Sequence, residues 1–121
     1  MWKKLLINAG LSSIATICER TIHQVCNDED LRTLSIRTMS ELLAVGKAIG
    51  LSAEADPEAM TNPEKAPHHV PSFLQDLRAG RPFEIQNGIL AARAIAGCAG
   101  VDTPSLDAVA ALMKARSPVP A

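Results

Sequence analysis

One long stretch of the chain repeats its apolar positions at the spacing of an α-helix. The repeat keeps intervals of three and four residues for about five turns, through Leu31, Leu34, Thr38, Leu42, Val45 and Ile49. Asn27 and Asp28 stand before it as candidate N-caps, and Gly50 follows where a left-handed C-cap residue belongs. No segment of the chain alternates convincingly with period two. The pattern therefore predicts an all-α fold.

The composition agrees with packed helices. Hydrophobic residues make up 47% of the 121 residues, but aromatic residues only 2%, and strands favour aromatic and β-branched side chains. The spacing predicts further helices over residues 2–16, 70–79, 84–98 and 103–116, and one short helical piece at most within the proline-containing stretch 52–67. We expect one domain over residues 1–116, a bundle of five to six helices, and a frayed tail over residues 117–121.

Charge and cysteine content narrow the class of protein. Twelve basic and 13 acidic residues leave a formal net charge of −1, which gives no electrostatic reason to propose nucleic acid or a membrane as a partner. No apolar run is long enough to span a bilayer, and the apolar start is broken at Asn8 without a signal-peptide cleavage site. Three cysteines are an odd number for a disulfide framework, which favours reduced thiols and a cytoplasmic location.

Metal and nucleotide sites find little support in the sequence. Cys18, His23 and Cys26 are five and three residues apart, which matches no compact zinc pattern, and we expect no metal. Neither of the two glycine-rich phosphate cradles, Gly-x-Gly-x-x-Gly and Gly-x-x-x-x-Gly-Lys-Ser/Thr, occurs in the chain. A nucleotide cofactor would therefore have to be held by another domain.

A narrow polar line marks the first predicted helix. Lys4, Asn8 and Ser12 recur every four residues, so on an α-helix they form a single stripe between two apolar faces. Such a stripe is typical of a mostly buried helix whose polar line opens into a cleft. A plain core helix with a few exposed polar residues explains the same pattern, and both interpretations remain open at this point.

Three runs of residues resemble the C-terminal domain of the ketopantoate reductase (2-dehydropantoate 2-reductase) family. WKKLLIN at residues 2–8 is similar to the opening of that domain. PSFLQDLRAGRPFEI at residues 71–85 resembles the family signature Ser-Met-Leu-Gln-Asp-x-x-x-x-Arg-x-Thr-Glu-Ile-Asp, and GVDTP at residues 100–104 resembles its Gly-x-x-x-Pro turn. The runs occur in the family's order and cover nearly the whole chain. The resemblance implies an all-α domain similar to the C-terminal domain of 6-phosphogluconate dehydrogenase.

The resemblance also implies roles for five residues. Lys4 would be the general acid that donates a proton to the carbonyl oxygen of the substrate. Asn8 would hold a hydroxyl or ketone oxygen, and Ser12 stands where the family usually has a second Asn that binds substrate. Ser72 would contact the carboxylate, and Glu84 would lie near the substrate and orient the network around the lysine. Taken singly, each residue also has an ordinary structural explanation, such as a solvated lysine or a helix-terminal acid.

The function implied by the resemblance is substrate binding and dimer formation in an NADP-dependent enzyme that reduces 2-dehydropantoate to pantoate in pantothenate biosynthesis. The partners would be a small 2-oxo acid, a second copy of the chain, and a Rossmann domain that binds NADP(H) and is absent from this sequence. We expect no cofactor on this chain alone and no reductase activity from the isolated 121 residues.

Two departures from the family pattern keep other functions open. Ser12 is shorter than the usual Asn, and the segment from Glu84 to Gly88 is two residues shorter than the family's Glu-Ile-Asp-x-x-Asn-Gly. Two residues correspond to about 200° of helix rotation, so the segment cannot keep the family register throughout. The alternatives are a stand-alone helical dimerisation module with a vestigial site, and part of a reductase for another 2-oxo acid.

Overall fold

The computed structural model describes residues 2–51, 54–82 and 86–117, and this part of the chain is all helical, with turns and loops between the helices. Its elements are α1 (Trp2–Ile7), π1 (Asn8–Ser12), α2 (Ser13–Cys18), α3 (Ile22–Cys26), α4 (Glu29–Ala48), α5 (Pro57–Met60), α6 (Ser72–Arg78), π2 (Gln86–Leu90), α7 (Ala91–Ala99) and α8 (Pro104–Arg116). Because α1, π1 and α2 are continuous, and π2 continues into α7, the described residues form seven helical stretches. None of these helices is both long and apolar enough to cross a membrane.

The 20-residue helix α4 is the element around which the others pack. Its N-cap is Asp28, whose side chain accepts a hydrogen bond from the Leu31 N–H at 3.0 Å. Leu42 and Val45 are fully buried, as the spacing predicts. Ile49, the last position of the pattern, is instead 43% exposed because the helix ends at Ala48 and the chain turns away at Gly50, with φ of 84°.

A π turn interrupts the first helix. Within π1, the backbone N–H of Ser13 donates to the carbonyl oxygen of Asn8, five residues earlier, and the Ser13 hydroxyl donates to the same oxygen at 2.6 Å. A second π turn, π2, opens the helix that continues as α7, and the two π turns contact each other. Single π turns of this kind occur frequently at functional sites.

Two parts of the helix pattern differ from the sequence-based expectation. Residues 22–26 form α3, a helix that the apolar spacing does not reveal. Thr21 and Gln24 form its capping box, since the Thr21 hydroxyl accepts from the Gln24 N–H and the Gln24 side chain accepts from the Thr21 N–H. The helix expected over residues 70–79 begins only at Ser72, because Pro71 is extended with ψ of 156°. The additional helix α3 raises the expected five to six helices to seven stretches in the described part of the chain.

The N-terminus of the last helix, α8, is capped by a residue that lies far away in the sequence. Thr103 is its N-cap residue and Pro104 its first residue, as expected, but the Thr103 side chain makes no capping bond. Glu41 of α4 replaces it: its carboxylate accepts from the Ser105 N–H at 3.0 Å and from the Leu106 N–H at 2.8 Å. A charged acceptor at a helix N-terminus is favourable because it satisfies unpaired N–H groups and complements the helix dipole.

We expect the substitution Glu41→Ala to destabilise the protein by about 1–2 kcal/mol, because two half-buried N–H groups lose their acceptor. Chemical denaturation followed by circular dichroism measures this loss. Glu41→Gln keeps one acceptor oxygen and should lose less. Glu64→Ala, which removes an exposed carboxylate, is the matched control and should change the stability by less than about 0.5 kcal/mol. Equal effects of the variants at positions 41 and 64 would contradict the capping role.

Candidate functional site

The side chains of Lys4 and Asn8 meet in one cleft between the two π-containing helices. The cleft has a volume of about 270 Å³. One wall comes from the first helix, with Trp2, Lys4, Leu5 and Asn8, and the other from π2 and α7, with Gly88, Ala91, Ala92 and Ile95. Lys4 is exposed and Asn8 half-buried, so a cationic donor and an amide stand at the mouth of an otherwise apolar cavity. We name this cavity the lysine cleft.

Trp2 fixes the end of the lysine cleft nearest to α4. Its indole N–H donates to the carbonyl oxygen of Leu42 at 2.9 Å, which satisfies the only polar atom of the ring. The ring lies directly over Gly46: a Cβ atom at that position would be 2.7 Å from Nε1 of Trp2. Glycine at position 46 therefore allows the indole to reach its acceptor, and the indole in turn holds one wall of the cleft in place.

The π turn moves Ser12 out of the expected stripe. On a regular α-helix, Lys4, Asn8 and Ser12 would share one face, but the i→i+5 turn holds roughly one residue more than an α turn and rotates Ser12 backwards. The structure places Ser12 in a different cavity on the neighbouring flank of the first helix. We name this cavity, of about 260 Å³, the serine cleft; it is lined by Lys3, Ile7, Leu11, Ser12, Ile22, Met60, Pro67 and His69.

Of the remaining predicted site residues, the structure describes only Ser72, and it does not border the lysine cleft. Ser72 is the first residue of α6, exposed, and lines neither cleft. Glu84 lies outside the described residues, as does the beginning of the segment in which the sequence is shorter than the family pattern. The geometry therefore groups two of the four predicted residues that the structure describes, and the expected single stripe of Lys4, Asn8 and Ser12 is wrong for Ser12.

Two further residues of the lysine cleft were not among the sequence predictions. Trp2 lines the cleft together with Lys4, but in the sequence it is one of many apolar residues of the first helix and does not indicate a cleft wall. Gly88 borders the cleft where the helices come close, since a Cβ atom at position 88 would be 3.7 Å from Cδ1 of Leu5. A glycine inside a helical segment is the signal that could have indicated this close approach.

The cysteines and potential metal ligands form no second site in the described part of the chain. No three His, Cys, Asp or Glu residues there are arranged to hold a metal ion. Cys18 and Cys98 are free and exposed, whereas Cys26 is free and buried. Burial raises the pKa of the Cys26 thiol, an effect that the charge of Arg32 partly opposes, so its reactive thiolate form is disfavoured.

Comparison with known proteins identifies the family. Residues 1–117 match the family described as the C-terminal domain of ketopantoate reductase PanE/ApbA. The chain belongs to this family. It is 30% identical over 115 residues to the 2-dehydropantoate 2-reductase of Mesorhizobium japonicum. The match covers 94% of this chain and 35% of that protein.

Solved structures of ketopantoate reductases share the fold. A dimeric ketopantoate reductase from Staphylococcus aureus superposes with a TM-score of 0.83 at 23% identity, over 95% of this chain and 41% of that one. A D-mandelate dehydrogenase with NADH and anilino(oxo)acetate gives a TM-score of 0.82 at 21% identity, over 95% of this chain and 50% of the other. The chain thus spans about a third to a half of the length of these relatives.

Proposed function

We propose that this ketopantoate reductase C-terminal domain binds the substrate and donates the proton in an NADP-dependent reduction of 2-dehydropantoate to pantoate, a step of pantothenate biosynthesis. The observation that supports this most directly is the convergence of Lys4 and Asn8 on one cleft between two contacting π turns. The family match over residues 1–117 supplies the reaction class. A cytoplasmic location agrees with three free cysteines.

Lys4 is the proton donor in this proposal. An ammonium group carries three N–H donors, so it can hold the ketone oxygen by a hydrogen bond and polarise the carbonyl. As negative charge develops on that oxygen, one proton moves from Nζ to it, which leaves a neutral amine on Lys4 and a hydroxyl group on the product. The described residues that line the lysine cleft with Lys4 include no carboxylate that would pair with its ammonium group.

Asn8 positions the substrate beside Lys4. Its amide can donate to one oxygen and accept from a hydroxyl without neutralising the adjacent ammonium group, as a carboxylate would. The roles proposed for Ser12 and Ser72 are substrate contacts made from outside the lysine cleft, and the role proposed for Glu84 is to orient the network around Lys4. The contacts of Ser12 and Ser72 require either a substrate that reaches beyond the lysine cleft or a rearrangement of the protein around the bound substrate.

The described residues do not fit a nicotinamide cofactor. They contain no strand and no glycine-rich turn at a helix start, which are the elements that cradle a dinucleotide pyrophosphate. NADP(H) supplies hydride in reductases of this class, so the complete reaction requires a separate Rossmann domain. In the reaction itself, this chain contributes substrate binding and the proton.

A reductase for another 2-oxo acid is the second candidate. This candidate is supported by the fold that the chain shares with a D-mandelate dehydrogenase, whose structure contains NADH and anilino(oxo)acetate, because one fold can serve more than one substrate. Ser12 in place of the usual Asn removes an amide and leaves a smaller hydroxyl, which changes the polarity of the wall to which it belongs.

Dimer formation is also part of the proposal. The Staphylococcus aureus ketopantoate reductase is dimeric, and Ile49, Leu51 and Leu112 of this chain are between 43% and 51% exposed. Light scattering should give twice the monomer mass of 12.8 kDa. A monomer at concentrations above about 100 µM would contradict dimerisation through this domain.

Titration of the ¹⁵N-labelled chain with 2-dehydropantoate tests the substrate-binding part of the proposal. We expect saturable shifts of the amide signals of Asn8 and Gly88, which border the lysine cleft. Asn8→Ala should weaken binding about tenfold, because a buried hydrogen bond to the ligand is lost. Asn62→Ala, on a loop away from the cleft, is the control. Shifts that are absent, or that do not depend on Asn8, would refute substrate binding at the lysine cleft.

A further inference from the structure

A buried hydroxyl group takes part in the π turn of the first helix. Ser13 is fully buried, and its side-chain hydroxyl donates to the carbonyl oxygen of Asn8 at 2.6 Å. The same oxygen accepts the backbone N–H of Ser13. One residue thus donates twice to a single carbonyl group. Because Ser13 is closed to solvent, water cannot serve as another partner for its hydroxyl.

The hydroxyl bond of Ser13 spans five residues, whereas serine and threonine inside an α-helix usually donate to the carbonyl oxygen four residues earlier. Thr16 and Thr38 follow the usual pattern. Both are fully buried, and they donate to the carbonyl oxygens of the fourth residue before them at 2.7 Å and 2.9 Å, respectively. The Ser13 hydroxyl therefore pairs with a carbonyl group that a π turn, and not an α turn, brings to it.

The π turn also sets where Asn8 and Lys4 lie. Asn8 is the first residue of π1, Lys4 lies four residues before it, and both border the lysine cleft. After the turn, Ile14 and Ala15 are buried in the core, which fixes α2. An α turn in place of the π turn would rotate the residues before it by about 100° and shift them by about 1.5 Å relative to α2. Lys4 and Asn8 would then leave their places opposite π2 and α7.

The surroundings of π1 leave little room for a different turn. π1 contacts π2, whose Gly88 belongs to the opposite wall of the lysine cleft. It also packs on α4, where a Cβ atom at Gly10 would be 2.5 Å from Cγ of Met39. A change in the hydrogen bonding of π1 therefore displaces elements that line or support the lysine cleft.

We propose that Ser13 is a positioning residue for Asn8 and Lys4. Its buried hydroxyl favours the π turn over an α turn, and the π turn directs both side chains into the lysine cleft. Ser13 lines neither cleft and takes no part in the chemical step. The effect on turnover rests on the proposed function, but the effect on the turn can be measured without any substrate.

Replacing Ser13 by alanine tests the hydroxyl bond directly. In the ¹³C,¹⁵N-labelled chain, the scalar coupling across a hydrogen bond identifies the N–H that donates to the Asn8 carbonyl. We expect the native chain to show the N–H of residue 13 as the donor, and Ser13→Ala to weaken this coupling or transfer it to the N–H of Ser12. The amide signal of Gly88 should shift in the same variant, because π2 contacts π1. Ser13→Thr keeps the hydroxyl and should keep the coupling.

Turnover tests the positioning role. In a protein that joins this chain to a Rossmann domain, Ser13→Ala should lower kcat by about 10- to 100-fold, because a displacement of ~1 Å misaligns the proton donor Lys4. Ser13→Thr should restore most of the activity. The matched control is Thr38→Val, which removes a buried hydroxyl from α4, outside both clefts. It should lower the melting temperature like Ser13→Ala but leave the coupling and kcat unchanged.

Three results would overturn the inference. These are an unchanged coupling from residue 13 to the Asn8 carbonyl in Ser13→Ala, an unchanged Gly88 signal in that variant, and a kcat that Ser13→Ala lowers no more than Thr38→Val does. Absence of turnover with serine at position 13 would instead refute the proposed function. The coupling and the Gly88 signal would then still decide whether Ser13 holds the turn and the cleft wall.

Discussion

Substituting Lys4 by methionine should lower kcat/KM of the proposed NADPH-dependent ketone reduction by about 10²–10⁴-fold, measured in a protein that joins this chain to a Rossmann domain. Methionine keeps the length and apolar character of the side chain but removes the proton and the positive charge at the mouth of the lysine cleft. Because Lys4 is exposed, the fold should not suffer. Steady-state kinetics and a melting curve of the same variant separate the two effects.

Two control variants distinguish proton donation by Lys4 from an effect of its charge. Lys4→Arg retains the charge but replaces the acid by a group that does not release its proton in proteins, so kcat should remain low while substrate binding persists. Lys114→Met removes an exposed lysine of α8, outside both clefts, and should leave kcat/KM unchanged. Full activity in the arginine variant would mean that Lys4 acts by its charge alone, and proton donation by Lys4 would then be refuted.

Replacing Gly10 by alanine should destabilise the protein by about 1–3 kcal/mol, even though the change adds a single methyl group. Gly10 lies in π1 where the first helix crosses α4, and a Cβ atom there would be 2.5 Å from Cγ of Met39. Met39 is fully buried, and the clash involves an atom close to its backbone, so the side chain cannot swing away freely. The helices must separate instead, and thermal unfolding measures the loss.

Substitution of Gly97 by alanine is the control, and its expected effect on stability has the opposite sign. It lies inside α7, is exposed, and a Cβ atom at this position would meet nothing within 4 Å. Gly97→Ala should therefore stabilise the protein by about 0.5–1 kcal/mol through its higher helix propensity. If both alanine variants changed stability in the same direction, close helix packing at Gly10 would not explain the result.

The sequence predicts the helical class because its signals are local. Asp28 and Gly50 bound α4 as expected, and Gly80 and Gly100 follow their helices with φ of 72° and 71°. What spacing cannot show is a change in the type of helix. The π turn includes the hydrogen bond from the Ser13 N–H to the Asn8 carbonyl oxygen, which no apolar pattern encodes, and Ser12 lines the serine cleft and not the lysine cleft.

The same limit applies to the candidate site: contacts within one helix can be predicted from the sequence, whereas contacts between helices cannot. Lys4 and Asn8 are four residues apart within one helix, so local geometry was sufficient to bring them together. Ser72 lies on another helix, and its distance from Lys4 depends on how whole helices pack, which a single sequence does not reveal. Glu41 was missed for the same reason: its partners, Ser105 and Leu106, are more than 60 residues away in the chain.

Adjacent residues of α4 hold both the first and the last helix. Leu42 accepts the Trp2 indole N–H, while Glu41 caps the N-terminus of α8. The wall of the lysine cleft and the start of α8 thus share one turn of a single helix as their anchor. Local opening of that turn would release both at once, so hydrogen exchange at Leu106 and at the Trp2 indole should report the same cooperative unit. The wall of the lysine cleft and the start of α8 then have the same lifetime.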